Sequence, residues 1–436
     1  MNGLARKLAG NAILMNSVFL GLSGAARGLA EVALVVLAIR VLGPSTGGQL
    51  IFGFAIIRVA QYIAEGGLGM YLTREIPRNP SLTGTYTLEA LKLVLVLAGP
   101  VGVFAAIATG PFQPEMGLAI AFATVAVIFG AAQPILGAAF LAHDRTHLMF
   151  KNMVVMAVTL VGGGLLVAIF LPTLLAFFFV IAVSRAAAFA VGFLDFLKHF
   201  TPTIRLANLS ARRAFACGFP YGLNALGSYL YLRVDIVLLG AISGSLATGI
   251  YGSVADPMVS LTAFVYVVTR AFLPSLSKDF AVEPRRFQGL VRRMLLLNLA
   301  LGGVLSATVF LGSGPFVSLA FGDQLAPAAT VLRVLSAAIV LRFFNSGLAT
   351  WLTASGRQWH RASAILGAAG FNIVVNLIAI PVWGYWAAAW STVATEVVLL
   401  GVFLWLLRPR ISTSPVTTVR EAFALASLER RNANQE

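Results

Sequence analysis

Charge is what this 436-residue chain has least of. Asp, Glu, Lys and Arg make up 11% of it and hydrophobic residues 59%, and mean hydropathy is +0.89. Soluble domains carry about 25% charged residues, so an aqueous globular protein is excluded. No polar stretch approaches the roughly 50 residues that a separate aqueous domain needs. The single cysteine, Cys217, excludes an intramolecular disulfide and any cysteine-based metal or redox centre. The four histidines, His143, His147, His199 and His360, fall near the ends of apolar runs, and no pair has a metal-ligand spacing with supporting carboxylates. Nucleophile elbow, P-loop, Rossmann fingerprint and carboxylate-rich catalytic loop are all missing. The chain is therefore expected to be no enzyme, with no catalytic residues, cofactor or metal.

What is present is a succession of apolar runs of the roughly 20 residues that cross a bilayer as a helix. Twelve are expected: 13–42, 48–70, 88–109, 117–141, 153–171, 174–197, 214–240, 249–273, 294–312, 327–353, 362–381 and 386–407. The first has no small-residue cleavage site and runs too long for a signal peptide, so it reads as a mature span. The loops alternate between basic and non-basic. One set, with the two ends of the chain, holds 22 of the 31 Lys and Arg residues; the other holds none apart from Arg40 at a span end. The positive-inside rule places both termini in the cytoplasm. The net charge of +15 is thereby a topology signal, and nucleic acid is not an expected partner.

The longest polar break between spans, residues 198–213, divides the expected spans six and six. The domain reading is 1–197 as one six-helix bundle, 198–213 as a cytoplasmic linker, 214–410 as a second bundle and 411–436 as a cytoplasmic tail. PSTGGQLIFGFA at 44–55 weakly resembles SLATGIYGSVA at 245–255, and two hairpins are expected to turn at Pro172 and Pro381. An even number of spans per half makes the repeats parallel. The expected fold is all-α and polytopic, with two bundles around a central cleft that rock in alternating access. The outer loop 312–326, about fifteen residues, is the longest on its side.

A charge at mid-span costs at least ~2.5 kcal/mol and normally faces protein or water. Arg27 and Glu31 stand at i and i+4 and can pair, as can Asp235 with Arg233 or a neighbour. Arg58, Arg185 and Arg342 have no acid at helical spacing. Arginine keeps its charge and offers a planar donor fork suited to phosphate. Arg27, Arg58, Arg185, Arg233 and Arg342 are therefore the candidate substrate-binding residues for a phosphate or pyrophosphate headgroup. Tyr229 and Tyr231, near Arg233, are candidate contacts to a sugar or phosphate. Glu31, Asp235, Asp256 and Glu396 are the candidates for ion coupling. Glu65, Arg270 and Arg333 lie nearer span ends and can snorkel. Trp383, Tyr385, Trp386 and Trp390 read as an interfacial belt.

Three stretches carry a family resemblance. LAIRVLGPSTGGQLIFGFAIIRVAQYIAEGGLGMYLTREI (37–76), LRVDIVLLGAISGSLATGIYGSVADPM (232–258) and NIVVNLIAIPVWGYWAAAWSTVATE (372–396) resemble the corresponding spans of bacterial polysaccharide flippases. These are the Wzx-type O-antigen and exopolysaccharide translocases of the multidrug/oligosaccharidyl-lipid/polysaccharide exporter superfamily. The resemblance implies flipping of polyprenyl-pyrophosphate-linked oligosaccharide repeat units across the bacterial inner membrane. Membrane lipids, a polysaccharide polymerase and other envelope assembly proteins are the implied partners. Trp386 departs from the small residues the family often has there. A cation-coupled multidrug antiporter of the same fold is the first alternative, disfavoured by the basic balance of the intramembrane charges. A membrane enzyme or a non-transporting partner in envelope polysaccharide assembly is the second.

Overall fold

The computed structural model describes residues 2–109, 119–200, 211–262 and 264–408. Among them the chain forms fourteen α-helices and no strand. They are α1 (Asn2–Leu42), α2 (Pro44–Glu65), α3 (Leu68–Glu75), α4 (Thr83–Thr109), α5 (Ala119–Ala142), α6 (Thr146–Phe170), α7 (Leu174–His199), α8 (Ala211–Ile242), α9 (Gly244–Thr262), α10 (Phe264–Val282), α11 (Pro284–Phe321), α12 (Ala326–Ala354), α13 (Gln358–Trp383) and α14 (Tyr385–Leu407). Ten are long and apolar enough to cross a membrane, and the chain is a multi-pass membrane protein. The first and eighth expected spans, which fall on α1 and on α9 with α10, are not among those ten. The count of twelve therefore stands as an expectation.

Several boundaries differ from the sequence reading for visible reasons. The second expected span ends at Glu65, where Gly66 and Gly67 adopt φ of +57° and +78°, a left-handed geometry open mainly to glycine. The Glu65 carboxylate then accepts from the N–H groups of Gly67 (3.1 Å) and Gly69 (2.7 Å). It caps the start of α3, and its burial corrects the expectation that it snorkels. The hairpin at Pro172 turns where expected, but Pro381 lies inside α13 and the turn comes at Gly384. The supposed outer loop 312–326 is mostly helix. α11 runs through Pro315 to Phe321, leaving Gly322 and a short 3-10 turn, Asp323–Leu325. Membrane helices tolerate such prolines because neighbours re-satisfy the freed backbone groups. Residues 201–210 of the expected linker and the whole expected tail lie outside the described residues.

The helices before residue 200 pack mainly on one another, through α1 on α6, α4 on α5, and α7 on α5 and α6. Those after residue 211 do the same, through α11 on α12, α13 on α8, and α14 on α12 and α13. The halves meet where α2 lies on α8 and α9, and α3 on α8. Glycine makes this seam close at both ends of α2. A Cβ at Gly48 would come within 2.7 Å of the Gly249 nitrogen, and one at Gly222 within 2.6 Å of the Gly66 carbonyl carbon. The two segments with weak internal similarity, 44–55 and 245–255, are thus helices packed against each other. Ser45 and Ser245 hydroxyls hydrogen-bond there at 2.7 Å.

Candidate functional site

Three of the cavities among the described residues bear on the intramembrane charges. The central one, about 630 Å³, sits between the halves and is lined by α1, α2, α8, α9 and α10. Along α2 its lining runs from Ile51 to Tyr62, between the two glycine seams. Arg27, Arg58, Arg233 and Arg270 face Glu31 and Asp256 across it. A second cavity, about 460 Å³, lies inside the first half and shares Arg27, Arg58 and Tyr62 with the central one. A third, about 430 Å³, lies inside the second half and shares Ser228, Leu232 and Arg270 with it.

The intramembrane ions pair across helices rather than along them. Glu31 accepts from Arg58 of α2 and from Arg185 of α7, the latter at 2.8 Å. The i, i+4 partner expected for Glu31, Arg27, makes no hydrogen bond or ion pair among the described residues. It is exposed in the central cavity. Arg233 pairs with Asp256 of α9, not with Asp235. Arg342 Nε donates to Glu396 of α14 at 2.7 Å. Arg58, Arg185 and Arg342 have no acid at helical spacing, and each finds one on another helix. The reason is energetic, since a buried ion left uncompensated costs several kcal/mol, and pairing offsets about that much.

The expected substrate residues consequently do not share one cleft. Arg27, Arg58, Arg233 and Tyr229 line the central cavity. The Tyr229 hydroxyl donates to the Ala55 carbonyl at 3.3 Å, and its ring packs on Tyr62 with centroids 5.3 Å apart. Arg185 is buried in the first half, where it also reaches the Met156 sulfur at 3.0 Å. Arg342 and Tyr231 belong to the second half, and the Tyr231 hydroxyl donates to Glu396 at 2.9 Å. Arg270 is the residue that sequence reasoning missed. It lines two cavities and, like Arg27, makes no hydrogen bond or ion pair among the described residues. With the two pairs neutralised, Arg27 and Arg270 leave the central cavity a net charge of +2.

The four candidate coupling acids also divide. Glu31 and Asp256 are held by arginines at the central cavity. Glu396 is buried, with Arg342 on one oxygen and Asn345 Nδ2 on the other at 2.9 Å. Asp235 is buried without an ion pair among the described residues; it accepts from the Tyr251 hydroxyl, from Thr392 Oγ1 at 3.2 Å and from the Ile236 N–H at 2.8 Å. No group of three or more His, Cys, Asp or Glu among the described residues could hold a metal ion. Of the four residues expected to form an interfacial belt, Trp383 and Trp390 are exposed, while Tyr385 and Trp386 are half-buried with ring centroids 5.5 Å apart.

The fold has solved counterparts. A multidrug resistance MATE-family transporter of the MOP superfamily, in its inward-facing conformation, superposes with a TM-score of 0.69 at 14% identity, over 87% of this chain and 93% of its own. The lipid II flippase MurJ, in an inward closed conformation, gives 0.68 at 11% identity, over 91% of this chain and 88% of its own. A protein of Escherichia coli (strain K12) named for O-antigen transport is 25% identical over 134 residues, 31% of this chain. That match spans about a third, 32%, of the relative's length. Residues 13–280, more than half of the sequence, match the model of the family described as "Polysaccharide biosynthesis protein", and the chain belongs to that family.

Proposed function

We propose that this protein flips a polyprenyl-pyrophosphate-linked oligosaccharide across the bacterial inner membrane, by alternating access of two six-helix halves, with both termini in the cytoplasm. The observation that carries this is the central cavity with its net positive lining. Arg27 and Arg270 present guanidinium forks that no carboxylate among the described residues occupies, while Arg58 and Arg233 are held in place by Glu31 and Asp256. A diphosphate offers the charge and paired oxygens that such forks bind. The lipid tail stays in the bilayer, and rocking of the halves about the α2 seam carries the headgroup across. A cation-extruding antiporter would need the opposite balance, so its lining argues against that reading. Family membership and the relative named for O-antigen transport support a glycan cargo.

Asp235 is the acid best placed to couple an ion. Its partners Tyr251 and Thr392 are neutral, so a proton or cation can come and go there without breaking an ion pair. The experiment for the function is mass spectrometry of membrane lipids after depletion of the protein. A polyprenyl-pyrophosphate oligosaccharide should accumulate. Unchanged lipids together with new sensitivity to cationic drugs would replace the flippase by the antiporter.

A further inference from the structure

We infer that a groove between α11 and α12, on the surface that faces the membrane, is a binding site for an anionic phospholipid of the cytoplasmic leaflet. The site lies apart from the central cavity and does not depend on the identity of the cargo. The groove measures about 310 Å³. On α11 its lining runs from Gln288 and Arg292 to Leu296 and Leu299, and on α12 from Trp351 to Phe344. Arg285, Gln288, Arg292, Leu296 and Leu299 recur at steps of three and four residues, so they form one stripe of the helix. Leu296 and Leu299 are exposed. From Gln288 to Leu299 the helix rises about 16 Å, close to half of the roughly 30 Å hydrocarbon core. The groove therefore spans the depth of one leaflet, with its polar end at the surface.

That polar end is cationic. α11 opens at Pro284 with no acid in its first turn and no side-chain cap from Glu283, and the positive end of a helix disfavours cations. Arg285 and Arg286 nevertheless follow at once. Arg286 is held by Asp279 at 3.2 Å and Glu283 at 3.7 Å. Arg285, Arg292 and Arg293 are exposed and make no hydrogen bond or ion pair among the described residues. No carboxylate lines the groove, whereas each of the three interior cavities has one. An anion above an apolar trough is what a negatively charged phospholipid offers. Its phosphate accepts from guanidinium forks, and basic clusters at the cytoplasmic ends of membrane helices attract such heads. Its acyl chain lies along Leu296, Leu299 and Phe344. Trp351 stands at the level of the headgroups, as interfacial indoles do, and packs edge-on against Phe287 with centroids 6.4 Å apart. A zwitterionic head would bring its ammonium among the arginines, and that like-charge contact is the source of selection.

The test uses the purified, delipidated full-length protein and two lipids with the same oleoyl chains, phosphatidylglycerol and phosphatidylethanolamine. Affinities are read by native mass spectrometry. Phosphatidylglycerol should bind about tenfold or more tighter, as expected when two or more arginines meet one anionic head. In Arg285→Gln/Arg292→Gln that ratio should fall towards one. Lys198→Gln/Arg408→Gln removes two exposed charges at the ends of α7 and α14 and should leave the ratio unchanged. Leu299→Trp, which fills the apolar end of the groove, should weaken both lipids. Equal affinity of the two lipids in the unmodified protein, an undiminished ratio in Arg285→Gln/Arg292→Gln, or an equal fall in the Lys198→Gln/Arg408→Gln control overturns the site. So does unaltered binding of both lipids in Leu299→Trp. Displacement of phosphatidylglycerol by an equal concentration of bare polyprenyl diphosphate would reassign the groove to the cargo, and the phospholipid assignment would fall while the flippase reading stood.

Discussion

Gly222→Ala is the sharpest probe of the seam. Gly222 lies in α8, where alanine is the better helix former by about 1 kcal/mol, so the helix itself gains. The conflict is between the halves. The new Cβ would sit 2.6 Å from the Gly66 carbonyl carbon and 2.8 Å from the Gly67 nitrogen, where ordinary contact begins at 3.4 Å, so the seam must part by roughly 0.8 Å. Both obstacles are backbone and cannot rotate away. Overpacking of this kind typically costs about 1–3 kcal/mol, which shifts a two-state equilibrium by about 5- to 150-fold. The state that closes this end of α2 should be depopulated by that factor. Asn224 lines the central cavity, so Asn224→Cys in a Cys217→Ser background reports access. In inverted vesicles a membrane-impermeant maleimide should label it at least fivefold faster when Gly222→Ala is present. Gly289→Ala is the control, since a Cβ there meets nothing within 4 Å. Unchanged labelling in a folded Gly222→Ala protein would refute the idea that this seam closes the cavity.

Other substitutions separate binding from support. Arg27→Ala with Arg270→Ala should abolish transport in cells while leaving membrane insertion and thermal stability near those of the parent, because neither side chain makes a hydrogen bond or ion pair among the described residues. Arg342→Ala should instead lose about 3–5 kcal/mol of stability, seen as a lowered Tm in detergent, because Glu396 is left buried and uncompensated. Glu65→Ala should destabilise by about 0.5–2 kcal/mol through loss of the α3 cap, measurable as faster amide exchange in α3. Asp235→Asn should remove the dependence of transport rate on a proton or sodium gradient; an unaltered gradient dependence would rule Asp235 out.

The sequence carried the membrane class, most helix boundaries and the basic-loop alternation, since each is a local signal of composition or turn chemistry. It also showed that arginine dominates the intramembrane charges. What it hid was pairing. Arg185 and Glu31 are separated by 154 positions and Arg342 and Glu396 by 54, so helical spacing could not connect them. Arg270 was visible as a residue but was assigned to a span end, where a charge can snorkel. The structure places Arg270 within α10 and beside the central cavity. GSGPFVSLAF at 312–321 read as a loop from its glycines and proline, although α11 continues through it. The start of the α2–α9 contact was legible as two similar small-residue segments, but not that they touch.

The central claim is translocation of a diphosphate-linked glycan through the cavity lined by Arg27 and Arg270. Its most direct test is reconstitution of the purified protein into vesicles holding a fluorescent polyprenyl-pyrophosphate oligosaccharide in one leaflet, with quenching from outside. The account predicts leaflet exchange that depends on the protein and is lost in the Arg27→Ala/Arg270→Ala variant. Exchange at the protein-free rate, or full activity of that double variant, would contradict it.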